Sequence, residues 1–210
     1  TTKTKDVAAT LRQIRMLEEY GADIIRVAID SKTDVEGLAE VRKSTNARLV
    51  VDLQENYLLA AQVAPYVQKI RYNPGHLYHR EKEKTVWDKV AFLVQVAREH
   101  SLAIRIGINA GSLDPSQKAE SGGDHSSAMQ AADEHISIMK DLGFENFLVS
   151  IKSSDPNEVI ELNGRFANKY PDVPLHLGVT EAGMLPLAEV KTRVAFEHLL
   201  SLGIGETIRV

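Results

Sequence analysis

The chain of 210 residues is 43% hydrophobic and 26% charged, the mix of a soluble folded protein, which excludes a disordered, collagen-like or coiled-coil chain. Its 25 Lys and Arg stand against 29 Asp and Glu, a net charge of -4 with no basic tail or stripe, so no nucleic-acid partner is expected. With no cysteine, the chain has no disulfide, thiolate nucleophile, zinc ribbon or iron–sulfur cluster held by its own thiolates.

Residues 6–20 place Val7, Leu11, Ile14 and Leu17 at helical spacing, with Asp6 as N-cap and Gly21 as the stop. A short apolar strand, 22–29, follows. The same couplet recurs as helix 34–44 with strand 47–53, helix 56–65 with strand 67–73, and helix 84–100 with strand 103–109. Three more units follow: helix 126–142 with strand 146–152, helix 156–170 with strand 175–180, and helix 190–202 with strand 207–210. Strict alternation with Val, Ile and Leu-rich strands predicts a parallel sheet, because each crossover helix returns the chain to the same end of the sheet. The even spacing of the units, and the lack of a GxGxxG turn after any strand, favour a closed (β/α)8 TIM-type barrel over an open doubly wound sheet. Such a barrel needs eight strands, so the expectation is one barrel domain over residues 1–210 that lacks its first strand and last helix. No apolar stretch approaches the ~18 residues of a membrane span and the start, TTKTKD, is too polar for a secretory signal, which points to the cytoplasm.

Three connections that follow strands are long, beginning at Asn73, Ala110 and Glu181, on the face where barrels of this kind build their sites. The strands also carry charge where a core should be apolar: Arg26, Asp52, Arg71, Arg105, Lys152, His176 and Arg209. Strand alternation puts Arg105, Gly107 and Asn109 on one face, as it does Arg71 with Asn73, and His176 with Gly178 and Thr180. Any single strand arginine can be structural, paired with an acid or reaching to water. Five cations on five strands outnumber Asp52 and Glu181, and two like charges at 4 Å repel by roughly 4 kcal/mol at an effective dielectric of 20. A polyanion is the expected partner: arginine forks grip phosphate oxygens and lysine adds a point charge, so a diphosphate or bisphosphate is inferred.

The turns NPG at 73–75 and NAGS at 109–112 follow the strands of Arg71 and Arg105 and can aim backbone N–H groups at an anion, although NPG is also an ordinary loop opener. Glu181 serves either as a general acid or base or as a group that orients an arginine. His76 and His79 form an HxxH in a charged loop, read as solvated, and His100, His125, His135 and His198 receive no role. Trp87 and Phe92 are expected in the core.

The segments KIRYNPG (69–75), RIGINAGSL (105–113), VSIKSSD (149–155), LHLGVTEAG (175–183) and GIGETIRV (203–210), with DIIRV at 23–27, occur in order along the whole chain. Together they resemble the barrel domain of the 4-hydroxy-3-methylbut-2-enyl diphosphate synthase family. The resemblance implies an enzyme that reduces 2-C-methyl-D-erythritol 2,4-cyclodiphosphate on the methylerythritol phosphate route to isoprenoids. It opens the ring and removes a hydroxyl with two electrons. It implies a [4Fe-4S] cluster on three Cys and one Glu of a separate C-terminal domain, ferredoxin or flavodoxin as electron donor, and a homodimer. Carried over by position, Arg26, Arg71, Arg105, Lys152 and Arg209 hold the diphosphate, and Asn73 and Asn109 line the substrate beside Glu181 and His176, the catalytic candidates. Asp52 orients the cationic ring.

Gln54 stands where the family's third strand carries His, and His76 where its NPGN turn carries Asn. Without a cysteine-bearing domain, the chain alone is expected to bind substrate and not turn it over. Two other readings share an anion site: a redox-free barrel enzyme of dihydropteroate synthase type, and a non-catalytic diphosphate-binding fragment.

Overall fold

Asp6 opens the first helix of the structure, a computed structural model that describes residues 2–110 and 124–209. Its carboxylate accepts from the Ala9 N–H at 3.0 Å, and α1 (Val7–Glu19) runs to Gly21, whose φ of +83° suits a glycine. The chain divides into two compact units, one of Thr1–Tyr72 and Leu77–Ile104, the other of Asn73–His76 and Arg105–Val210.

In the first unit, β1 (Ile25–Ile29), β2 (Leu49–Leu53) and β3 (Lys69–Tyr72) lie parallel in that order. β1 alternates, with Ile25, Val27 and Ile29 buried, whereas every residue of β2 is buried, Asp52 included. α2 (Lys32–Lys43) begins two residues before its predicted start, because Ser31 and Asp34 form a reciprocal capping box. Gly37 on this helix is a packing requirement: a Cβ there would stand 2.6 Å from the Thr4 carbonyl oxygen and 2.8 Å from Lys5 Cα. The helix predicted over 56–65 is broken into a 3-10 turn (Tyr57–Leu59), a single α turn, α3 (Ala60–Val63), and a second 3-10 turn (Ala64–Tyr66). Pro65 has no N–H to continue an α ladder. The long connection after β3 is ordered at its start as a 3-10 segment, Pro74–His79. α4 (Val86–Glu99) follows, opened by a Thr85–Asp88 capping box.

Trp87, expected in the core, is 46% exposed. It lies roughly a quarter-turn off the centre of the stripe formed by Val90, Leu93, Val94 and Ala97. Phe92 is half-buried and meets Tyr57 edge-on, ring centroids 5.9 Å apart.

The second unit holds β4 (Ala103–Asn109, its first two residues in the other unit), α5 (Asp124–Asp141), β5 (Phe147–Lys152) and α6 (Pro156–Lys169). β6 (His176–Leu177), α7 (Leu187–Ser201) and β7 (Thr207–Ile208) complete it. The strand predicted over 175–180 is only two residues long, although a parallel bridge between Val149 and Leu175 and the Thr180 N–H donating to the Ser153 carbonyl at 3.1 Å keep its flanks alongside β5. β6 pairs in parallel with β7, and Arg209 N–H extends the pairing to Leu177 O at 2.9 Å. Residues 111–123, which include most of the long connection after Asn109 and the end of its NAGS turn, lie outside the described residues, as does the side chain of His125. Among the described residues, no helix is long and apolar enough to cross a membrane.

His135, given no role from the sequence, sits on the buried face of α5 with Ala128, Ala131, Ala132 and Met139, and is 2% exposed. Burial holds its imidazole neutral, its pKa pushed down to about 3 from an ordinary 6.5. Above pH 6.5 neither folded nor unfolded chain protonates this residue, so the stability is whole; below it the unfolded chain takes a proton that the folded one refuses. Stability should therefore fall as pH drops from 6.5 towards 3, by at most about 1.4 kcal/mol per pH unit from this group. Denaturant unfolding at pH 7 and pH 5 should show a smaller loss for His135→Gln than for the unaltered chain; an equal loss would assign the acid sensitivity to other groups.

Candidate functional site

The parallel register of the first unit decides which side chains meet. Ala28 is opposite Asp52, and Asp52 is opposite Arg71, so Arg26, two residues before Ala28, shares their face. Asp52 accepts from Arg26 Nη1 through Oδ2 and from Arg71 Nη1 through Oδ1, both at 2.8 Å. The Asp52 and Arg71 side chains are 5% and 8% exposed, that of Arg26 31%. The group joins three strands through one carboxylate and carries two positive charges against one negative.

One step along the same face lies a pair that the sequence did not single out. The Gln54 amide, its nitrogen turned towards Asp30, donates to Oδ2 at 2.6 Å and Oδ1 at 2.9 Å. Burial first, then the carboxylates of Asp34, Glu55 and Asp52, hold the Asp30 carboxyl above its usual range. Gln54 thus serves as a neutral donor to a carboxyl. Next to it, Glu55 pairs with His79 of the HxxH. Among the described residues no group of three or more His, Asp or Glu is arranged to hold a metal ion.

In the second unit Arg105 is 4% exposed and its Nη1 donates to the Ser150 hydroxyl at 3.3 Å. Lys152, also 4% exposed, ends β5, and its ammonium occupies space that only a glycine leaves open: a Cβ on Gly178 would stand 2.5 Å from Nζ and 2.9 Å from Cε. His176 is opposite Thr207, and its Nδ1 lies 2.8 Å from the Thr207 hydroxyl. Asn73 is 1% exposed, its Oδ1 accepting from Gly75 N–H at 3.1 Å, which shapes the NPG turn. Asn109 is half-buried at the end of β4, whereas Arg209 and Glu181 are exposed, the latter on a backbone φ of +50°. Ser150 and Thr207 are partners that sequence reading missed, although Ser150 stands two residues from Lys152 on the same strand face, and Gly178, read as sharing a face with His176, makes room for Lys152.

Each unit therefore presents cations on a strand face, steered by short polar side chains. Arginine forks and a lysine so placed suit oxyanions, phosphates above all.

A family model described as the GcpE TIM-barrel domain matches residues 1–210. The 4-hydroxy-3-methylbut-2-en-1-yl diphosphate synthase (flavodoxin) of Rhodopirellula baltica is 52% identical over 211 residues, covering 100% of this chain and 55% of that protein. The protein of the same name from Nitratiruptor sp. is 41% identical over 208 residues, 99% of this chain and 57% of that one. The chain thus spans about half the length of the curated relatives it matches. Among solved structures, the Yersinia pestis dihydropteroate synthase superposes with a TM-score of 0.65 at 12% identity, covering 98% of this chain and 82% of that one. The HMG-CoA lyase of Brucella melitensis gives 0.63 at 18% identity, covering 96% and 72%. At these identities the likeness shows the fold alone, and with the family model it gives the α/β, TIM-barrel class predicted from the alternation of elements.

Removing Asp52 leaves Arg71 buried beside a second guanidinium, and breaking a buried pair of this kind costs about 3 kcal/mol or more. Asp52→Ala should lower the denaturant midpoint accordingly at pH 7. A change within about 0.5 kcal/mol would mean that the carboxylate behaves as a surface ion-pair member.

Proposed function

The chain belongs to the GcpE TIM-barrel family, and from that premise we propose that residues 1–210 are the substrate-binding barrel domain of a 4-hydroxy-3-methylbut-2-enyl diphosphate synthase. The whole enzyme reductively opens 2-C-methyl-D-erythritol 2,4-cyclodiphosphate in isoprenoid biosynthesis. The observation that carries this reading is identity of 52% over the full chain with a relative of that name. Cation placement supports it, since a cyclic diphosphate is the kind of ligand that the strand arginines and Lys152 suit.

In this reading Arg26, Arg71, Arg105, Lys152 and Arg209 neutralise and orient the diphosphate, and Asp52 holds the first two in register. Asn73 and Asn109 meet the remaining polar groups of the substrate. His176, with its Nδ1 at the Thr207 hydroxyl, and Glu181, at the exposed turn after β6, are the groups that hold or move a proton. The [4Fe-4S] cluster of the family supplies electrons when bound. The residues of this chain do not fit it: the chain has no cysteine. The cluster is therefore assigned to another part of the whole protein, which in this reading is a homodimer and takes its electrons from flavodoxin, the donor that the relatives' names print, or from ferredoxin. The dihydropteroate synthase reading has the likeness in fold as its support, and at 12% identity that likeness does not extend to substrate.

In the whole protein, Arg105→Ala should weaken binding of the cyclic diphosphate by roughly ten- to a hundredfold, the worth of one charge-assisted hydrogen bond, without loss of fold. Gly178→Ala should weaken it too, by pushing aside the flexible end of Lys152. Calorimetric titration checks both, and unchanged affinity in Arg105→Ala places Arg105 outside the site. A chain of residues 1–210 supplied with substrate and reduced flavodoxin should give no turnover; product formation would overturn the assignment of the cluster elsewhere.

A further inference from the structure

Lys89 lies at the edge of the buried side of α4, between Leu93 and Val96, and is 3% exposed. Its Nζ donates to the Leu77 carbonyl and to the Arg80 carbonyl, both at 2.7 Å. These acceptors belong to the last turn of the 3-10 segment Pro74–His79 and to the residue just after it, where carbonyls lack helical partners and carry partial negative charge. A cation in a helix core is costly to desolvate, and here it is spent on backbone rather than on a carboxylate. Two further ties act on the same connection within the first unit. The Tyr57 hydroxyl donates to the Glu81 carboxylate, and Glu55, two residues beyond the end of β2, pairs with His79. The connection is thus fastened at Leu77, His79, Arg80 and Glu81, and it begins two residues after Arg71.

We propose that Lys89 is a positioning residue for diphosphate binding: by fixing two carbonyls of the connection after β3, it sets that connection in its bound form before the ligand arrives. The inference rests on the function proposed above, and extends it to a residue that does not touch substrate. A connection free to move would have to be ordered on each binding event, and displacement by even ~1 Å is enough to weaken a preorganised site severely.

The test uses the whole protein. Lys89→Met keeps the length and the apolar stem of the side chain and removes all three donors. Its dissociation constants for the cyclic diphosphate and for inorganic pyrophosphate should rise about tenfold or more, and exchange of the amides of residues 77–84 should quicken. The turnover number at saturating substrate should stay within about twofold, so that the loss falls on KM. Leu93→Val, on the same buried stripe, is the control: it lowers the unfolding midpoint and leaves affinity unchanged. Affinity unchanged in Lys89→Met, with or without quicker exchange, overturns the positioning role and makes Lys89 a fold stabiliser only. If Arg105→Ala loses affinity in the same assay, the proposed function survives that result; if the unaltered protein binds neither ligand, both fall. Should Lys89→Met fail to fold, Tyr57→Phe decides, since it cuts one tie to the same connection. A few-fold loss of affinity with quicker exchange supports the proposal, and unchanged values of both overturn it.

Discussion

One carboxylate, Asp52, holds two guanidinium groups from neighbouring strands, and the polar face of the first unit depends on it. Parallel pairing alone would bring Arg26 and Arg71 to the same side of a sheet with nothing to keep them apart or aim them. Placing the acid on the central strand solves both problems: each oxygen takes one arginine, and the register that sets Asp52 opposite Arg71 and Ala28 makes the geometry a property of the backbone. The same register carries the next pair, Gln54 with Asp30, so the face is a ladder of polar contacts built by period-two alternation.

The second unit aims its cations by other means. A hydroxyl, that of Ser150, directs Arg105 without adding charge, and an absent side chain, at Gly178, gives the Lys152 ammonium its place. Carboxylate, hydroxyl and vacant space differ in what they leave behind. A carboxylate adds a charge of opposite sign, a hydroxyl adds a dipole, and a glycine adds only room. A ligand with several negative oxygens responds to the summed field, so the kind of group that steers a cation bears on how the site attracts it.

Much of this was legible in the sequence, because alternation of helical and strand periods is what a parallel α/β fold imposes on a chain, and because charge at interior strand positions stands out against Val, Ile and Leu. What escaped was partnership. Periodicity says that residue 105 and residue 150 face inward on their strands, and says nothing of which meets which. It also treats a helix as a stripe of hydrophobic positions, and so passed over Lys89 and His135, which sit on such stripes as polar residues. Trp87 failed in the opposite sense: an aromatic residue near a stripe was assigned to it, when its angular position left it half in water. The helix over 56–65 broke because Pro65 falls within a segment too short to recover its ladder afterwards. A polar residue at a core position of a helix was the available signal, and it marks both Lys89 and His135.

Those two residues show that such a signal has no single meaning. The imidazole of His135 meets burial by giving up its proton, and the helix around it remains an ordinary packed helix. Lys89 instead finds two carbonyls at the end of a 3-10 segment, and so links a helix to the connection that follows β3. The ties on that connection are graded by depth. Lys89 is buried, the Tyr57 hydroxyl is partly so, and Glu81, whose carboxyl is held below its usual range by Lys84 and then by Tyr57, also pairs with Lys84 at the surface. Ion pairs in water are weak and buried bonds are not, so the Glu81–Lys84 pair contributes least to holding the connection and the Lys89 bonds contribute most, one of them at Leu77, the tied residue nearest in sequence to Arg71.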